Sequence, residues 1–172
     1  MNIKFKPLLL FLFFTIIFFV FYKGLKKPNI YIPDRFIEKN VPFFSATLFE
    51  SNKKINSKEI FKEDKFYLIN IWASWCVPCR KEHNFLMNLS TKKNLKIIGI
   101  NYKDNDVKAK DFLKELNSPY ELIISDPNGT ISIEWGAYGV PETFLIYDKK
   151  IIKKIIGPIN NESLVEIKSL IK

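Results

Sequence analysis

From Leu8 to Tyr22 every residue except Thr15 is apolar and none is charged. Counted from Ile3 to Leu25 the run spans 23 residues, with Lys4, Lys6 and Lys23 able to snorkel towards a headgroup region. That length predicts a helix able to cross a bilayer. A cleaved secretory signal has an apolar region of similar length, but a small-x-small cleavage site should follow it, and "FFVFYKGLKK" offers none. An uncleaved single-pass anchor over residues 1–27 is therefore expected, then a proline-bearing linker over residues 28–40. Lysines flank the run on both sides, so charge alone does not orient it.

Past residue 40 the pattern shifts to short elements. Val41 to Phe49 reads as a strand or extended lead-in. "KFYLINIWA", Lys65 to Ala73, is an apolar run of buried-strand length. A helix is predicted from the cysteines to about Ser90, and "LKIIGINY", Leu95 to Tyr102, is a second buried strand. Asp106 is placed as the N-cap of a helix with Ala109, Phe112, Leu113 and Leu116 on one face, ending before Ser118-Pro119. "ELIISD" gives a third strand, and Pro127-Asn128-Gly129 a turn. "ETFLIYD" and "KIIKKIIG" read as a hairpin turning near Asp148-Lys149. Asn161 is placed as the cap of a final helix with Leu164, Ile167 and Ile171 facing in. This order predicts an α/β domain over residues 41–172. Its central mixed sheet would be parallel in part, antiparallel at the hairpin edge and flanked by helices. The length suits one domain, and no internal repeat is visible.

The net charge of +9 could suggest nucleic acid or acidic lipid. The lysines are scattered, however, so they read as solvated surface, and no nucleic-acid partner is expected.

Chemistry concentrates in "NIWASWCVPCRKEH", which holds both cysteines and the only histidine. In open α/β sheets, sites lie beyond the carboxyl ends of strands, and Cys76 stands there. A C-x-x-C that opens a helix after a buried strand is a redox motif. Cys76 at the N-cap faces free backbone N–H groups and the positive end of the helix dipole, which favour thiolate. Cys79, one turn on, is within disulfide reach and should be the more buried. The pair thus offers an attacking and a resolving sulfur. A structural zinc site needs four ligands, which two Cys and one His cannot supply. Haem attachment needs His directly after the second Cys, where Arg80 stands. Copper(I) on Cys76, Cys79 and His83 is the competing reading. A purely structural disulfide would close almost no loop and constrain the unfolded chain little.

Cys79, Glu82, Leu86 and Leu89 recur on one helical stripe, so a carboxylate falls in the middle of an apolar face. Desolvation should raise its pKa and fit it to exchange a proton with Cys79; bending outward to solvent is the plain alternative. His83 lies at the edge of the stripe and is read as surface.

"WASWCVPCRKEH" together with "YGVPETFLI" resembles the thioredoxin superfamily. More narrowly it resembles the membrane-anchored thiol:disulfide interchange proteins of cytochrome c biogenesis, of the CcmG/DsbE type and TlpA/ResA-like. The resemblance implies a thioredoxin-like fold, a bacterial inner-membrane location with the domain facing the periplasm, and no cofactor. It implies a reductant of disulfides in the apocytochrome c maturation pathway, whose partners are a disulfide-bearing substrate protein and a membrane electron-donor protein. Val140-Pro141 matches the family's cis-proline loop, and Glu142 an acidic residue of the cytochrome branch. The resemblance also places a functional acid at Glu82. Trp75, Val77 and Pro78 would surround the active site. A related reductase for other extracytoplasmic targets, or a copper-binding assembly factor, stays open at this point.

Overall fold

The computed structural model describes residues 6–25, 38–49, 51 and 53–172. Two compact units divide the chain, Met1–Ile32 and Pro33–Lys172. In the first, α1 (Lys6–Leu25) is 20 residues long and carries a row of exposed Leu, Phe and Ile side chains. At the usual helical rise this is about 30 Å, the thickness of a hydrocarbon core, so the helix fits a single-pass membrane anchor.

The expected linker lies outside the described residues as far as position 37. Its last residues run antiparallel beside Lys149–Ile151. The Glu38 N–H donates to Ile151 O (2.8 Å), the Val41 N–H to Lys149 O (2.9 Å), and Asn40 bridges Lys150.

The second unit holds a seven-stranded sheet in the order β2-β1-β5-β4-β3-β6-β7. The strands are β1 (Ser45–Leu48), β2 (Lys54–Asn56), β3 (Phe66–Trp72), β4 (Leu95–Tyr102), β5 (Leu122–Asp126), β6 (Glu142–Tyr147) and β7 (Lys150–Ile156). The pairs β3–β4 and β4–β5 are parallel, whereas β1–β2, β1–β5, β3–β6 and β6–β7 are antiparallel. The expected mixed α/β sheet is present, with a second antiparallel margin at β1–β2. Helices α2 (Ser57–Ile60), α3 (Val77–Ser90), α4 (Asp106–Leu116), α5 (Thr130–Glu134) and α6 (Asn161–Leu170) complete it.

Alternation along β3 sorts the two faces. Ile69 and Ile71 join Phe44, Phe61, Trp135 and Phe144 on one side. Leu68 joins Leu86 and Leu89 of α3 and Ile167 of α6 on the other. Trp72 packs there too, against Ala109 and Phe112 of α4. Two caps shift by one residue from expectation. Asn105, not Asp106, accepts the N–H groups that open α4, and Asn160, not Asn161, caps α6 in a capping box with Ser163.

Gly99 in β4 is required sterically. A Cβ there would lie 2.7 Å from Trp72 Nε1 and 3.0 Å from the Tyr120 ring, both held in packed surroundings. Gly99→Ala should therefore lower stability by about 1–3 kcal/mol, the usual cost of overpacking. The urea unfolding midpoint of the full chain in detergent is the readout, and an unchanged midpoint would show that the Trp72–Tyr120 stack can yield.

Candidate active site

β3 ends at Trp72, the loop Ala73–Trp75 follows, and α3 begins. Cys76 is its N-cap in an extended conformation, and its Sγ accepts the Cys79 N–H at 3.1 Å. Pro78 sits in the first turn, where a missing N–H costs nothing. Cys76 and Cys79 are joined as a disulfide, with their Cα atoms 5.3 Å apart. The bond lies against the positive end of a 14-residue helix, which favours thiolate at Cys76 once reduced. The expected difference in burial is slight in this oxidised form, because Cys76 is 3% exposed and Cys79 2%.

Two loops hold the pair. In the first, Asp104 accepts from the Ser74 N–H (2.5 Å), the Ser74 hydroxyl (2.6 Å) and the Asn101 amide (2.9 Å). Trp75 Nε1 donates to Lys103 O at 3.1 Å, while its ring remains exposed. In the second, the Val140–Pro141 peptide is cis, and Val140 packs against the cluster containing both cysteines. Glu142 is buried, accepts the N–H groups of Tyr138 (2.6 Å) and Gly139 (3.1 Å), and pairs with buried Lys154 at 2.9 Å. Lys154 in turn donates to Gly136 O at 2.8 Å. Trp75 and Val77, on either side of Cys76 in the chain, are exposed, as is Tyr138, two residues before Val140.

Glu82 is fully buried, as its helical position requires. Its Oε1 accepts from Asn70 Nδ2 at 2.9 Å and its Oε2 from the Ile159 N–H at 2.7 Å. Burial pushes the carboxyl up from 4.5 to about 7, while the Ile159 N–H and the Asn70 amide pull it down. A group that titrates near neutral pH one turn from Cys79 is suited to trade protons with a thiol.

His83 is the clear departure from expectation. It is 2% exposed, its Nε2 lies 2.8 Å from Asn117 O, and its ring meets Phe112 edge-on. The chain leaving α4 covers that edge of α3, and burial lowers the imidazole's pKa. With Nε2 engaged by a carbonyl, His83 is poorly placed to complete a copper site with the cysteines. Sequence reasoning also passed over Asn70, Asp104, Tyr138 and Lys154. The available signals were an amide inside "FYLINIW" and a lysine inside "KIIKKII".

The Redoxin family model matches residues 37–170. The chain belongs to the Redoxin family. Among curated relatives, a thiol:disulfide interchange protein CycY of Rhizobium leguminosarum is 48% identical over 59% of this chain and 55% of its own length. The DsbE protein of Haemophilus influenzae, also named a thiol:disulfide interchange protein, is 37% identical over 91% of this chain and 87% of its own. Among solved structures, a DsbF homologue from Corynebacterium diphtheriae superposes with a TM-score of 0.67 at 21% identity, covering 77% of this chain and 87% of that one. StoA from Bacillus subtilis gives 0.57 at 25%, covering 74% and 96%. The thioredoxin-like fold is thus borne out for this Redoxin domain, and its activity is that of a thiol–disulfide oxidoreductase.

The raised Glu82 pKa makes stability depend on pH with a definite sign. The unfolded chain releases this proton first, so the contribution of Glu82 to stability falls as pH rises from about 4.5 to about 7 and is level beyond. The fall is on the order of 3 kcal/mol. Glu82→Gln lacks the group, so denaturant titrations at successive pH values should show the variant gaining on wild type by that order across the window. A stability difference that is flat with pH would mean that Glu82 does not titrate there.

Proposed function

We propose that this protein is a membrane-tethered reductant of protein disulfides in the apocytochrome c maturation pathway. Residues 1–27 would be its anchor, 28–40 its linker and 41–172 its working domain. The supporting observation is the Cys76–Cys79 disulfide at the head of α3, with Cys76 Sγ on the helix N-terminus and buried Glu82 one turn beyond Cys79. The resemblance of "GAYGVPETF", with Glu142, to the cytochrome branch supports the pathway, and the interchange activity named for the DsbE and CycY relatives supports the reaction.

In this reading the Cys76 thiolate attacks one sulfur of a substrate disulfide. A mixed disulfide forms, and the other substrate sulfur leaves as thiolate and is protonated. Cys79 then gives its proton to the Glu82 carboxylate and attacks Cys76 Sγ. The second substrate sulfur is released, and the Cys76–Cys79 disulfide remains. Two electrons have passed to the substrate, and a membrane electron-donor protein must return two. Val140, Pro141 and Glu142 would present the loop against which an extended substrate segment lies, with Trp75, Val77 and Pro78 as the rest of the contact. The domain would face the periplasm from the bacterial inner membrane.

Cys79→Ala should accumulate the mixed disulfide, and mass spectrometry of the trapped species should find an apocytochrome or a maturation factor. Recovery of unrelated periplasmic proteins alone would replace the pathway with a general reductase. Glu82→Gln should leave attack by Cys76 nearly unchanged and slow resolution by about 10²-fold. In wild type the resolution rate should climb through about pH 7, and the variant should lose that inflection. Equal resolution rates in both proteins across this range would remove Glu82 from the mechanism.

Topology is tested separately. The mature protein should keep its N-terminus by intact mass and fractionate with membranes, and its domain should be cut by protease added from the periplasmic side. Loss of the first twenty or so residues, the usual length of a cleaved signal, would refute the anchor.

A further inference from the structure

Asn70 occupies the middle of β3, where β-strand neighbours Ile69 and Ile71 are wholly buried, and it too is fully buried. An amide there must satisfy donor and acceptor alike. Its Nδ2 donates to Glu82 Oε1 at 2.9 Å and to Thr143 Oγ1 at 3.0 Å. Its Oδ1 accepts from the Tyr120 hydroxyl at 2.8 Å. Tyr120 lies between α4 and β5, with its ring stacked on Trp72 at 5.4 Å and 17°. Three side chains from separate segments thus form one directed chain of hydrogen bonds, from phenol to amide to carboxyl.

We infer that Tyr120, acting through Asn70, is a positioning residue that sets the protonation state of Glu82. The argument rests on the reading of Glu82 as the proton acceptor, and its physics is that of amide orientation. While the Tyr120 hydroxyl donates to Oδ1, the Asn70 amide must turn its N–H towards Glu82, which favours the carboxylate. Turned over, the amide would present a lone pair, which only the protonated acid can meet with a donor. Tyr120 remains a donor throughout the working range, because burial, and after it the Glu82 charge, holds its ionisation well above 10.0. Donation into the amide oxygen also polarises the N–H on the other side and strengthens its bond to the carboxylate.

No other charge on the packed elements competes for this task among the described groups that touch Glu82. β3 contributes Asn70, the segment before α6 contributes the Ile159 N–H, and β6 reaches the network through Thr143. On α3 itself, Cys79 is tied in the disulfide, and His83 is turned to Asn117 O. Tyr120 is the titratable neighbour that another element brings to the group.

The test is a direct titration of Glu82 in the reduced full chain, in detergent, with 13C-labelled glutamate and Glu82→Gln to assign the signal. Tyr120→Phe keeps the ring on Trp72 and removes only the hydroxyl. The Glu82 midpoint should rise by about one pH unit, and the pH profile of mixed-disulfide resolution should move with it, while the rate of Cys76 attack stays put. Tyr120→3-fluorotyrosine, a better donor of nearly the same shape, should move both midpoints down, so the sign separates donor strength from packing even if the phenylalanine variant fails to fold. A Glu82 midpoint that ignores the change at Tyr120 overturns the inference. A midpoint that moves while the resolution profile stays still upholds Tyr120 and instead removes Glu82 as the proton acceptor.

Discussion

A carboxyl group in the middle of an apolar layer has to find hydrogen-bond donors from the elements packed over it, and Glu82 does so from two directions. Asn70 reaches it from β3, and the Ile159 N–H from the turn that leads into α6. Left without them, the group would cost several kcal/mol. The requirement fixes the rotation of α3 about its axis, since Glu82 meets its donors only when Leu86 and Leu89 face the sheet. That rotation in turn points the first turn of α3, with Cys76 and Cys79, at the carboxyl end of β3. The redox pair is placed by a polar contact that lies one turn deeper than itself.

Around the cysteines, polar side chains hold the loops in place. Asp104 gathers Ser74, Asn101 and the start of α4, while Glu142 and Lys154 grip the Gly136–Gly139 loop from both ends. They fix the backbone that carries Trp75, Val77 and Tyr138, so exposed apolar groups are displayed from rigid supports.

Much of this was legible in the sequence, for identifiable reasons. Helical period alone put Glu82 inside, and apolar runs broken by charged and turn-forming residues marked β3 to β7. The caps slipped by one because Asn105-Asp106 and Asn160-Asn161 each offer two competent residues side by side, and only the backbone decides between them. β2, α2 and α5 escaped because elements of three to five residues owe their shape to neighbours rather than to period. His83 was misplaced because the chain that buries it arrives from beyond α4. Lys154 reads as solvent-facing in a run of lysines, and its buried partner, Glu142, lies on another strand.

The segment 38–41 laid along the start of β7 has a consequence for copies of the protein rather than for its chemistry. An outermost strand bares unpaired amides and carbonyls, an invitation to a second sheet. Here part of that row is already occupied by the chain's own residues, and the opposite margin is a strand of only three. Copies of the domain that meet therefore find little free strand edge to pair with. Two blunted margins let them stay concentrated without zipping together into fibres.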